Sequence, residues 1–132
     1  MITGCRTLGT LLLSAALLAA GAAAAADLSG GWKGRWESCT SGHKGPLKAE
    51  FCRVGSCQYE VTFRGRFLKI LPFKYSVRLR VVRQDGDTLV LRGSQKLRKY
   101  GVFHYTARAD RCTFHADYCS AEDRGYFHLE RR

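Results

Sequence analysis

From Gly31 onward apolar and polar residues alternate with period two, and turn-forming residues interrupt the alternation at short, fairly even intervals. Along SGGWKGRWES, Trp32, Gly34, Trp36 and Ser38 share one parity while Lys33, Arg35 and Glu37 share the other. A helix would also bring residues four apart together, but the interspersed glycines disfavour one. The separation recurs downstream. Tyr59, Val61 and Phe63 oppose Glu60, Thr62 and Arg64; Val77, Leu79 and Val81 oppose Arg78 and Arg80; Phe103, Tyr105 and Ala107 oppose His104, Thr106 and Arg108. One dry and one wet face per strand is what antiparallel strands show around a core. The pattern predicts strands near 31–38, 47–54, 57–64, 75–83, 87–92, 100–108, 112–119 and 124–131.

Asp85-Gly86 is the strongest turn signal, because both residues accept the positive φ of a tight hairpin. Val54-Gly55 and 108–111 also have hairpin length. Short strands buried on one side must close on themselves or stack as two sheets to remove their edges. The expected architecture is a single eight-stranded antiparallel up-and-down barrel over 27–132, with a two-sheet β-sandwich as the alternative. Short turns at 53–57, 83–87 and 108–111 would close one end. Longer connections at 40–46, 65–74, 93–99 and 120–123 would surround the other, making a cup. Trp36, Phe63, Leu79, Phe103 and Tyr105 then face the interior, with Trp32 nearer the closed end and Trp36 nearer the open one.

Residues 1–26 are set aside as a signal peptide: Arg6 precedes the apolar run LGTLLLSAALLAAGAAAAA, and small residues lead up to Asp27. Export implies a secreted or periplasmic protein with no membrane-spanning segment in the mature chain. Lys and Arg number 22 against 11 Asp and Glu, a formal net charge of +11 that falls by one with Arg6. Such a balance favours anionic partners. The longest connections and their edges carry Lys44, Arg64, Arg66, Lys69, Lys74, Lys96, Arg98 and Lys99 with no acidic residue among them. A basic open end is therefore expected, where Lys44, Arg66, Lys69, Lys96, Arg98 and Lys99 attract the charged part of a ligand. Phe67, Leu68, Ile70, Leu71 and Phe73 interleave with three of the cations, a mixture suited to an anionic lipid or polysaccharide surface, to guarding a pocket, or to plugging the barrel end or forming an additional short strand with its basic residues in water. Nucleic acid is not expected, because the aromatics share the inward parity and cannot stack on bases outside.

An exported chain with cysteines at 39, 52, 57, 112 and 119 is expected to form disulfides. The spacings Cys52-x4-Cys57 and Cys112-x6-Cys119 are too wide for a zinc knuckle. Cys52–Cys57 across the Val54-Gly55 turn and Cys39–Cys119 near the open end are the candidate bridges, with Cys112 buried; the connectivity stays open, and an odd thiol allows a monomer or a disulfide-linked dimer. A two-residue Val54-Gly55 turn would put Phe51 on the wrong face, a conflict that a bulge at Gly55 repairs. If 108–111 is a two-residue hairpin, His104 lies across from His115; if Ala121-Glu122 turns the next, His115 lies across from His128. Three imidazoles in a row could ligate a metal, but their parity is outward, and a solvated polar face is the expected reading. His43 has no carboxylate partner nearby, and Glu50, Glu60, Asp117 and Glu130 scatter over outward positions. No enzyme and no cofactor are expected.

The G-x-W at Gly30 to Trp32, opening the first strand of a short meander, resembles the start of lipocalin-like and avidin-like barrels. That resemblance implies a secreted small-ligand carrier fold whose first-strand tryptophan packs across the closed end. The chain also looks like small exported bacterial proteins that begin G-x-W-x-G-x-W. The expected function is non-enzymatic binding of a small anionic or amphipathic ligand at the basic open end. The alternative is a solid-core module of the cell envelope that binds acidic polysaccharide, lipid or protein through its basic surface.

Overall fold

Eight strands form along the alternating stretches: β1 (Gly30–Ser38), β2 (Lys44–Gly55), β3 (Gln58–Phe67), β4 (Leu71–Asp85), β5 (Thr88–Lys96), β6 (Val102–Ala109), β7 (Thr113–Cys119) and β8 (Arg124–Arg131). The computed structural model describes residues 26–67 and 70–132, so the expected signal peptide lies outside the described residues except for Ala26. Each strand pairs antiparallel with the next, and β1 pairs with β8. The sheet closes as an up-and-down barrel, and closure rather than stacking is what removes its edges.

The inward parity holds around the whole circuit. Trp32, Ala49, Phe63, Val77, Leu91, Ala107, Ala116 and Leu129 are all buried, one from each strand in turn. Aromatic rings meet through the middle: Phe63 and Phe127 lie 5.0 Å apart between centroids, Tyr118 and Phe127 5.3 Å, and Phe51 and Phe114 5.1 Å. At this barrel size side chains fill the interior.

The closed end is built by the N-terminal approach to β1. Leu28 is fully buried, its amide accepted by the Tyr59 hydroxyl and its carbonyl accepting the Trp32 indole N–H at 3.0 Å. From the last residue of β8 the Arg131 guanidinium lies 4.4 Å over the Trp32 ring and donates to the carbonyls of Ser29 and Asp27, each at 2.6 Å. Asp27 in turn takes the Ser29 amide, which holds its carboxyl below the usual range.

Several strands run further than the alternation predicts, and three open-end connections shrink to 39–43, 68–70 and 97–101, while the fourth stays at 120–123. The expected long loop at 65–74 is mostly hairpin, with Gly65↔Phe73, Arg66↔Pro72 and Phe67↔Leu71 in register. Two paired strands keep adding ladder bonds until a turn stops them. Pro72 is tolerated there because the β4–β5 ladder ends at Arg80↔Arg92, leaving residues 71–79 bonded on one side only. At the opposite end the register of β2 and β3 shifts between Arg53 and Gly55, setting Phe51 opposite Val61. The bulge is the one the hydrophobic pattern demands.

Candidate functional site

Of the residues expected to line a ligand pocket, the apolar ones do meet inside. Trp36, Phe63, Leu79 and Tyr105 are buried, and Phe103 packs half-buried against the same cluster. Their neighbours are one another. Trp36 stacks on Phe67 at 6.0 Å and donates to the Arg66 carbonyl, while Phe63 meets Tyr75 at 5.5 Å and Phe103 meets Tyr118 at 5.8 Å. Polar atoms in this layer also satisfy each other. The hydroxyls of Tyr75 and Tyr105 are 3.4 Å apart, and Asp123 accepts from Ser38 at 2.6 Å and from Tyr118 at 3.2 Å. Desolvation pushes Tyr105 up to about 12 and Tyr75 well above its ordinary value.

The expected cations stand at three of the connections around the open end. Lys44 and Arg66 stand on the β1–β3 side, whereas Lys96, Arg98 and Lys99 stand at the β5–β6 connection, whose tip is a single 3-10 turn, Arg98–Tyr100. Lys69 lies outside the described residues.

A second concentration of charge lies on the outer wall. Lys33 is registered with Lys48, Lys48 with Arg64, and Arg64 with Lys74, so four cations form one row across β1 to β4. At the usual strand spacing the row spans about 14 Å. It runs through two shallow, open grooves of about 510 and 490 Å³ that share Pro46, Leu47 and Lys48. Arg35 and Arg66 line them too, one row nearer the open end. Against these six cations stand His128 and one carboxylate, Glu130, registered with Lys33. Among the described residues none of the six forms an ion pair; the pairs that exist are Arg78–Glu60, Arg83–Asp85 and His115–Asp117.

Local sequence explains the indentation. Each groove is lined by a glycine of inward parity, Gly34 or Gly65, where the neighbouring backbone crowds in. A methyl group on Gly34 would overlap the His128 carbonyl, and one on Gly65 would come within 2.9 Å of the Pro46 carbonyl. Glycines at such points let a barrel wall bend sharply. The outward parity of Lys33, Arg35 and Arg64 was legible in the chain, and Lys48 and Lys74 follow the same alternation. Their alignment depended on three registers that the chain alone does not state.

Two histidine expectations divide. His115 and His128 are partners across β7–β8, with ring centroids 5.8 Å apart. His104 is not opposite His115: it stands opposite Cys119, and Arg108 takes its place. The β6–β7 connection is longer than two residues because the Asp110 carboxylate accepts the amides of Cys112 and Thr113, both at 2.8 Å, while the Asp110 amide bonds to the Thr113 carbonyl. Those same bonds hold the Asp110 carboxyl low. His104 bonds Ser94 at 2.9 Å, and among the described residues no three His, Cys, Asp or Glu side chains converge on a metal position.

The cysteine expectations fare differently again. All five are free and exposed, Cys112 included. Cys52 faces Glu60 rather than Cys57 because the hairpin turns at Ser56-Cys57, with Gly55 paired to Gln58, so Cys57 sits in the turn itself. Cys39 bonds the Arg124 carbonyl, and Arg124 pairs with Cys119, so a whole strand separates the two thiols. Two strand spacings, roughly 9–10 Å, exceed the reach of a disulfide.

No family model matches the chain, and no curated protein does. A solved structure titled "De novo design of a fluorescence-activating beta barrel" is similar in fold, with a TM-score of 0.53 over 80% of this chain and 93% of that one, at 16% identity. At that identity the likeness concerns the barrel alone. It agrees with the barrel closure, and the lipocalin-like and avidin-like likeness of the first strand stays a resemblance.

Proposed function

We propose that the chain is an exported, non-catalytic binding protein whose partner is an acidic polymer held along the outer wall, an envelope polysaccharide being the chemistry that fits best. The observation that carries this reading is the row Lys33, Lys48, Arg64, Lys74. Like charges directly opposite on neighbouring strands destabilise a sheet, and within the fold Glu130, opposite Lys33, does not offset the rest of the row. A chain of regularly spaced anions laid across the strands would. The row lies in two adjoining grooves, so such a polymer meets shape as well as charge.

A small ligand in the lumen is less well supported, because the side chains that would line its site already pack against one another. Export rests on the sequence of the first 26 residues and the non-catalytic reading on the scattered carboxylates.

Retention on an immobilised acidic polysaccharide across a salt series tests the proposal. The parent should be held at low salt and released as salt screens its charges, and Lys48→Glu with Arg64→Glu should elute near the void. Equal retention of the double variant, or native mass spectra of the exported protein carrying one small molecule per chain, would overturn it.

A further inference from the structure

The rim at the open end carries a second surface, chemically unlike the wall. The three most exposed large apolar side chains among the described residues are there: Ile70 is 80% exposed, Tyr100 65% and Leu71 59%, with Val102 at 44%. They occupy the tips of two successive hairpins, β3–β4 and β5–β6. Turn tips facing water ordinarily carry small polar residues. Here the polar residues beside them are cations: Arg66 opposite Pro72, Lys96 opposite Val102, and Arg98 and Lys99 inside the 3-10 turn. No acidic residue occurs in 64–74 or 93–102. The Lys99 ammonium lies 5.5 Å over the Tyr100 ring, so charge and ring stay together at the tip. Beneath the β3–β4 tip the floor is rigid, with Phe67 stacked on Trp36 and met edge-on by His43 at 4.8 Å. Leu68 and Lys69 lie outside the described residues, and no part is assigned to them.

We infer that these two tips dock the barrel end-on against an anionic lipid bilayer. Apolar tips ringed by cations match the interface, where side chains such as Ile70 and Leu71 enter the acyl boundary while Lys and Arg reach headgroup phosphates. A polysaccharide would satisfy the cations but leave the apolar tips in water. The surface is separate from the polysaccharide wall proposed above, apart from Arg66, which borders both.

Co-sedimentation of the mature protein with vesicles tests this, using phosphatidylcholine alone and phosphatidylcholine mixed with phosphatidylglycerol. Pelleting is expected only with the mixed vesicles. The exposed-site double variant Ile70→Ser with Tyr100→Ser should bind them roughly tenfold more weakly, since two large apolar side chains are lost to the interface, with retention on acidic polysaccharide unchanged. In a second measurement, Ile70→Trp should gain an emission component quenched by bromine on the acyl chains, which adsorption through charge alone does not produce. The inference is overturned if the parent fails to pellet with anionic vesicles, if the double variant pellets as the parent does, or if the new tryptophan is not quenched. Loss of polysaccharide retention in Lys48→Glu with Arg64→Glu reports on the wall separately, so the two readings can fail independently.

Discussion

Arg131 at the closed end and Arg64 on the wall are both strand residues of a basic protein, yet their surroundings differ completely. The Arg131 guanidinium is stacked on Trp32 and hydrogen-bonded to two backbone carbonyls of the N-terminal segment. Arg64 stands between Lys48 and Lys74 and forms no ion pair among the described residues. The first charge closes the fold, and the second has no ion-pair partner within the described residues. Net charge alone could not separate these roles, because it counts both alike.

If that distinction is correct, the largest effects of substitution belong to the closed end. Trp32→Ala removes a fully buried indole from contact with Phe51, Phe114 and Arg131 and should cost about 3–5 kcal/mol. Arg131→Ala should cost less, about 1–3 kcal/mol, for two charge-assisted hydrogen bonds and the stacked cation. Urea unfolding followed by tryptophan emission and by circular dichroism measures both. An Arg131→Ala variant as stable as the parent would erase the contrast with the wall.

Alkaline pH probes groups whose perturbation comes from burial instead of from a partner. Tyr105 is pushed up from 10.0 to about 12 by desolvation, and Tyr75 is raised for the same cause. The folded state therefore holds protons that the unfolded chain gives up. The contribution is full below about pH 10 and is lost as pH rises toward and through the folded value, with Tyr105 alone removing about 1 kcal/mol by about pH 11. Tyrosinate absorbance should rise together with loss of folded circular dichroism. Ionisation of all the tyrosines near pH 10 with the fold intact would contradict a closed interior.

How much of this was legible in the chain follows from which features depend on parity and which on register. Parity is local, so the strands, the shared inward face of Trp32 and Trp36 and the outward face of the histidines could all be read from alternation. Register is set by a few turn residues that shift every partner beyond them. The Asp110 turn moved His104 from His115 to Cys119, and a hairpin that turns at Ser56-Cys57 instead of Val54-Gly55 parted Cys52 from Cys57. The basic row needed three registers at once, β1–β2, β2–β3 and β3–β4. Charge in the expected loops pointed to the rim, and the wall row stayed hidden because its members lie on four different strands.

The smallest effect separates the two regions most sharply, because its sign reverses. Lys48→Glu places a carboxylate between Lys33 and Arg64. Two like-charge cross-strand pairs become attractive ones, so stability should stay level or rise by about 0.2–1 kcal/mol at low salt, and the gain should shrink as salt screens it. The same change breaks the cationic row at its centre, in the segment shared by both grooves. Retention on an acidic polysaccharide should therefore fall while the unfolding midpoint does not. A structural lysine would behave like Arg131, losing stability when reversed. A lysine kept for an external anion improves the fold when it is lost, and the joint outcome of the melt and the column distinguishes them.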